Sequence, residues 1–257
     1  GDRDLMSPPL PTAVPLPAEI SGRLTRRDAL QPEQVSAMLS LFQAHFLDVD
    51  DQVFLEDIAE KEWVILLENR AGEILGFSTM MLYHTEFRGE TISVLFSGDT
   101  IVDEQARRNP ALAMTWLGAM DTLRKERAKG RFYWFLICSG YRTYRFLPVF
   151  FREYFPRHDR ETPPEIRALI SHIAKERYGE LYNPESGLLT LPGRQVPLRP
   201  GVSDVTPNRL KNPQVRFFLS KNPGHAMGDE LVCLTEADPA NLKRSGVKLL
   251  ANFWAGQ

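Results

Sequence analysis

Asp99 is the one acid in Phe96-Ser97-Gly98-Asp99-Thr100-Ile101, a run otherwise apolar or small. A carboxylate in such a place must be satisfied, and burial raises its pKa toward values useful to a proton acceptor. A structural aspartate, bonded to nearby backbone or to Ser97, is the plain alternative. Arg107 and Arg108 stand just before Asn109-Pro110-Ala111-Leu112. Asn109 is a good helix N-cap and Pro110 suits the first helical position. The N–H groups of Ala111, Leu112 and Ala113 then open a helix end carrying partial positive charge. With the two arginines they make an anion site; a solvated basic patch is the alternative. His84 ends a neighbouring strand and is a further candidate for the same cleft, against the ordinary fate of a strand-end histidine.

Other chemistries lack their residues. The chain has no G-x-S-x-G elbow, no phosphate-binding G-x-x-x-x-G-K loop, no H-E-x-x-H and no paired C-x-x-C. Its 5 histidines are scattered, so no metal site is expected. Asp48, Asp50 and Asp51 lack the glycine and terminal glutamate of a calcium loop and read as a solvated turn. Cys138 and Cys233 lie in apolar runs and read as buried, reduced thiols, with a disulfide the minority alternative.

The elements that must position these residues follow from patterning. The 257 residues are 43% hydrophobic and 25% charged, with formal net charge −2. That is the balance of one globular domain, with no global attraction to nucleic acid or an anionic membrane. No apolar run is long enough to span a bilayer and no secretory signal is visible, so a cytoplasmic protein is expected. Residues 1–29 read as a proline-rich lead-in, 30–160 as the core and 161–257 as a C-terminal extension packed on the same domain. A helix follows Pro32, with Val35, Met38, Leu39, Phe42 and Phe46 on one face. Three strands, Trp63–Glu68, Ile74–Tyr83 and Thr91–Val102, read as an antiparallel meander. The helix opened by Asn109 ends at Gly130, and Arg131–Ser139 is a buried strand, which places the strands flanking that helix parallel. Pro148–Phe155 reads as a short aromatic helix, whose surplus rings either line an acyl-chain tunnel or dock the extension. Pro163–Tyr178 is a helix, 183–203 a hairpin or long loop, and 207–220 a helical piece interrupted by Pro213. Glu230–Thr235 is a last strand, before a terminal helix or coil from Asp238.

The order helix, meander, capped helix, parallel strand, helix resembles the core of the GNAT acyltransferases over roughly residues 30 to 156. The segment Thr100 to Leu112 carries the local resemblance: a strand ending in an apolar residue, then Arg107 where the family has Arg or Gln. Pro110 and Leu112 stand where the family places small residues, mostly glycines. The resemblance implies an α/β fold, a GNAT-like mixed central sheet with flanking helices. It implies an N-acyltransferase with acyl-CoA or a phosphopantetheine-linked acyl thioester as co-substrate and no tightly bound cofactor. The donor's phosphate would lie on Arg107, Arg108, Asn109, Ala111 and Leu112, and a backbone N–H near Val102 would polarise the thioester carbonyl. The base would be a carboxylate such as Asp99. The leaving-group tyrosine of the family aligns with phenylalanine here, leaving Tyr141 and Tyr144 as substitutes. The acceptor would be a small-molecule amine. The degenerate loop resembles branches that draw on acyl carrier protein, which the basic segments around Arg107 and from Arg142 to Arg160 would face. A non-catalytic module of this fold, binding a partner protein or an acyl ligand, is the alternative.

Overall fold

Alternation along the strands divides the core into two faces of one sheet. Ile65, Leu67, Leu95, Trp134 and Leu136 point to one face, while Val64, Leu66, Val94, Phe96 and Phe135 point to the other. The computed structural model describes residues 19–190, 199–201 and 205–257. The expected proline-rich run up to residue 18, and residues 191–198 and 202–204 of the expected hairpin or loop, lie outside the described residues.

Strand β1 (Ile20–Arg26) leads to helices α1 (Pro32–His45) and α2 (Asp51–Ala59) and strands β2 (Trp63–Asn69), β3 (Ile74–Phe87) and β4 (Glu90–Val102). Helix α3 (Ala111–Arg127), strand β5 (Phe132–Cys138), the short helices α4 (Tyr141–Tyr144) and α5 (Phe146–Phe150) and strand β6 (Tyr154–Phe155) follow. Helix α6 (Pro164–Tyr178), strands β7 (Tyr182–Asn183) and β8 (Leu188–Leu189), helix α7 (Pro213–Lys221), strand β9 (Glu230–Glu236) and helix α8 (Arg244–Ala255) complete the chain. The sheet order is β1-β2-β3-β4-β5-β9-β8-β7, with β6 paired to β9. β4 and β5 are parallel, and the other pairs are antiparallel. This is the GNAT-like mixed sheet expected from the order of elements. α3, α7 and α8 cover one face; α1 and α2 cover β2–β4 on the other, beside α6. No helix among the described residues is long and apolar enough to cross a membrane.

Four local readings differ. Residues 20–26, given no element by pattern, form β1 along β2, because the pairing rather than a buried run of its own defines that strand. The acidic turn after residue 48 is a helix start: Asp50 Oδ1 accepts from the N–H groups of Gln52 and Val53 and caps α2. The aromatic segment is not helical through Phe155. α5 stops at Phe150 and Tyr154–Phe155 pairs with β9, since Pro156 biases its predecessor toward extended backbone. Pro213 interrupts nothing; it opens α7 behind the Asn212 cap. Phe146 packs on Trp116 within the core, while Phe151 bridges to Leu242 of the extension. Cys138 and Cys233 are buried free thiols on adjacent strands.

The parallel pair is anchored at the point where it ends. Trp134 Nε1 donates to Ser97 Oγ at 2.8 Å, and Trp116 Nε1 from α3 donates to Ser78 Oγ at 3.0 Å. Both contacts are buried, so losing an acceptor strands an indole N–H. Ser97→Ala is expected to cost roughly 1–3 kcal/mol of unfolding free energy by urea titration.

Candidate functional site

β4 and β5 part company after Ser97 and Leu136, the last residues paired between them. β4 continues beside β3 to Val102, while β5 continues beside β9 to Cys138. The register of β3 on β4 slips at the same place: Met80 faces Ser97, but Ser78 faces Thr100. β4 therefore carries one extra residue there, a bulge formed by Gly98 and Asp99, which have no register partner in β3 or β5. A bulge bends its strand and re-aims its side chains. Here it falls where the two strands splay, so backbone and side chain together face the opening.

On the α1/α2/α6 face the opening meets a cavity of about 170 Å³. Asp99, Gly98 and Phe96 of β4, Lys61 from the α2–β2 junction, and Arg177 and Tyr178 of α6 line its inner part. Asp50, Asp57, Glu60 and Glu230 stand around it. Burial pushes the Asp99 carboxyl above the usual carboxylate range, and the Lys61 charge only partly opposes it. Lys61 is 6% exposed, and burial pushes its ammonium down while Asp99 pulls it back up. Arg177 spans the site from α6, stacked at 4.3 Å on the Phe96 ring and 3.5 Å from Glu60. The Ser97 alternative for Asp99 is closed, since that hydroxyl serves Trp134 on the opposite face. A carboxyl whose pKa burial raises, in a cleft beside a lysine whose pKa burial lowers, is an arrangement suited to moving a proton.

At the outer end of the same opening, arginines gather from distant segments. Arg107 follows the short 3₁₀ turn Glu104–Ala106; Arg142 and Arg145 lie on and just after α4; Arg209 belongs to the 3₁₀ turn Arg209–Lys211 of the extension. They lie close enough to act on one another. Burial lowers the Arg142 pKa, opposed by Tyr141 and reinforced by Arg107 and Arg209. Burial and then Arg209 lower that of Arg145. Burial, then Arg107 and Arg142, push His45 at the end of α1 down to about 4 and keep it neutral near pH 7. Among the described residues no carboxylate stands within ion-pair distance of Arg107, Arg145 or Arg209. Arg107 and Arg145 are half-buried and Arg142 and Arg209 exposed; crowding like charges is unfavourable unless an anion occupies their midst.

The structure separates the residues singled out by sequence. Asp99 lines the cavity at the opening, Arg107 follows the turn after β4, and Tyr141 is buried at the start of α4 in the α3-face core. Arg108 is exposed, whereas Arg107 is half-buried. Asn109 Oδ1 accepts from the Ala111 N–H at 2.9 Å, so that donor is already engaged, and Pro110 has none. Leu112 and Ala113 follow in the first turn of α3, with their side chains buried. Val102, whose neighbourhood was expected to offer a backbone N–H, pairs with Gly76 in regular register, and the bulge lies at Gly98–Asp99. His84 is at the far end: it faces Ser93, six residues from Asp99 along β4, about 20 Å at strand rise, and its Nε2 meets the Arg127 carbonyl. Tyr144 is fully buried on the α3 side. Its hydroxyl donates to the Pro156 carbonyl at 2.8 Å and burial drives its pKa up. It has no path to the cavity. Tyr144→Phe is expected to lower stability by about 1 kcal/mol on losing that bond and to leave turnover unchanged; a combined melt and rate measurement checks it.

Sequence reasoning misses Lys61, which sits in the charged run Glu60-Lys61-Glu62 and looks solvated. It also misses Arg209, in a stretch with no periodicity. Only the folded chain brings them to the site.

No family model and no curated protein matches the sequence. Solved structures do resemble it in part. A probable N-acyltransferase of unknown function from Enterococcus faecalis is 12% identical over 52% of this chain and 33% of its own, with TM-score 0.41. A Trypanosoma brucei acetyltransferase is 17% identical over 56% of this chain and 100% of its own, with TM-score 0.38. A GNAT family N-acetyltransferase from Escherichia coli in complex with CoA is 15% identical over 50% and 68%, with TM-score 0.34. The match spans a third of the Enterococcus chain.

Proposed function

We propose that the protein is an N-acyltransferase that moves an acyl group from a phosphopantetheine-linked thioester to an amine. One observation carries the reading: β4 and β5 splay at the Gly98–Asp99 bulge, with a proton-accepting carboxylate on one side and an arginine cluster on the other. The opening suits a thin, extended thioester arm. Its phosphate would rest among Arg107, Arg142, Arg145 and Arg209, where charge-assisted bonds are strongest. The acceptor amine would enter from the cavity beside Asp99.

In this reading the amine nitrogen attacks the thioester carbon, and the carbonyl oxygen takes up charge. Backbone N–H groups of Gly98 and Asp99, which have no register partner in β3 or β5, supply its stabilisation. Asp99, ionised, accepts the proton that the attacking nitrogen loses. The carbon–sulfur bond breaks and the thiolate leaves, taking up a proton; Tyr141, stacked under Arg142 at 4.9 Å, is the candidate donor. The protein mainly holds two reactants together, which alone lowers the barrier substantially. A binding module with the same fold is favoured by one feature, the engaged Ala111 N–H and missing Pro110 N–H at the α3 terminus.

The test offers purified protein a panel of acyl-CoAs and acylated carrier-protein thioesters with primary amines, and measures thiol release and thermal stabilisation. Thiol release that requires both donor and amine supports the enzyme, and comparison of the two donor forms identifies the source of the phosphopantetheine. Stabilisation by donor without release with any amine supports the binding module. Neither effect with any donor removes both readings.

A further inference from the structure

The lysine beside Asp99 occupies a site prepared for it. Lysine is almost never buried without a partner, yet Lys61 is 6% exposed. Its stem crosses directly over Gly98: a Cβ added there would lie 2.9 Å from Lys61 Cε and 2.8 Å from Thr79 Oγ1. A side chain at residue 98 would force Lys61 or Thr79 to shift, so the glycine at the bulge leaves room for Lys61 as well as for the backbone. Thr79, 1% exposed, has no hydrogen-bond partner for its hydroxyl among the described residues, a cost tolerated at this crossing. The ammonium ends over the Phe96 ring, 5.5 Å from its centre, and donates to the Asp57 carbonyl at 3.3 Å. That is one of its three donors, and the bond is long.

The charges that face it come from every element around the cavity. α2 offers Asp57 and its C-cap Glu60, β4 offers Asp99, β9 offers Glu230, and α6 offers Arg177 with the Tyr178 hydroxyl; Asp48 and Asp50 line the cavity as well. Of the charged groups acting on Lys61, Asp99 acts most strongly, and Lys61 is in turn the charged group that acts on Asp99. The two are not in ion-pair contact, which leaves the carboxylate oxygens open to the cavity.

We infer that Lys61 is a positioning residue: threaded across the bulge over Gly98, its ammonium favours the charged form of the Asp99 carboxyl and leaves its oxygens open to the acceptor amine. The inference rests on the reading of Asp99 as the base. It assigns Gly98 and Lys61 a joint role, in which the missing side chain of one admits the charged side chain of the other.

The test replaces Lys61 with Met, which keeps the length and removes the charge, and with Gln as a second variant should the first not fold. Asp99 is followed directly by its carboxyl ¹³C signal across pH, and kcat/KM is followed in parallel. With the charge removed, the Asp99 titration and the acidic limb of kcat/KM are expected to move together to higher pH by about one unit, as for a carboxylate losing an opposite charge nearby. At pH values below the limb this is a loss of roughly 10-fold, recovered as pH rises. Gly98→Ala, which displaces Lys61 while keeping both charges in the chain, is expected to move the titration in the same direction. An unmoved Asp99 titration in folded Lys61→Met or Lys61→Gln protein overturns the inference. Failure of the underlying reading looks different: Asp99→Asn would then retain activity while the titration shift in the lysine variants persists.

Discussion

Asp99→Asn is expected to lower kcat/KM by roughly 10²–10⁴-fold, the span that a positioned general base contributes. The substitution keeps size and polarity and removes only the capacity to take a proton. The sign of the pH dependence follows from the direction of the shift. Burial raises the Asp99 pKa, so the base is protonated and idle over a wider acidic range than an ordinary carboxylate. Activity should rise with pH through that raised value, giving an acidic limb displaced upward from about 4. In Asp99→Asn this limb should disappear along with the activity. The same shift acts on stability: the neutral acid is the form that burial favours, so Asp99's contribution is greatest below its unfolded value and is lost as pH rises through its folded value. A site that accepts destabilisation near neutral pH to keep a raised carboxyl fits a functional group better than a structural one. Rates across pH 4–9 for the parent and variant, with a melt at each pH, decide the matter. Full activity with an unchanged limb in the variant would remove Asp99 from the mechanism.

Neutralising the arginine cluster should act on donor binding. Replacing Arg107, Arg145 or Arg209 by Ala is expected to raise the donor KM by roughly 10- to 100-fold each, the worth of a hydrogen bond to a charged group, with kcat much less affected. Arg108→Ala provides the internal comparison, because Arg108 is not among the charges that act on the cluster and should change KM by less than about 3-fold, as isolated surface charges do. The two positions are adjacent in sequence and differ in burial, so the contrast separates a built anion site from general positive charge. Parent affinity should also fall as salt is raised, and the triple variant should lose that dependence. If Arg107→Ala and Arg108→Ala prove equivalent, the cluster is a solvated patch and the thioester arm lies elsewhere.

The GNAT-like core was legible because its determinants are local. Apolar periodicity defines α1, the meander and β5. Asn109, Pro110 and the basic last turn define α3 and hence the parallel crossing of β4 and β5. Asp99 stood out because it is the one acid in a run otherwise apolar or small, where a carboxylate must be satisfied. None of these readings needs to know what lies across the sheet.

The site is another matter, and the reason is distance along the chain. Lys61 and Asp99 belong to different elements, and each of their local sequences is silent about the other. Arg209 meets Arg142 and Arg145 only because α7 packs on α4 and carries the preceding 3₁₀ turn with it. The bulge arises from the register between β3 and β4, a property of the pair that periodicity within one strand does not contain. Tyr141 and Tyr144 look alike in Tyr141-Arg142-Thr143-Tyr144 and both are buried, but that the second packs against Phe217 and Phe218 is decided by a segment far along the chain. The order of elements is written in hydrophobic spacing and caps, which act over a few residues; which side chains share the opening is decided by packing between segments far apart in the chain, and that exists only once the sheet has formed.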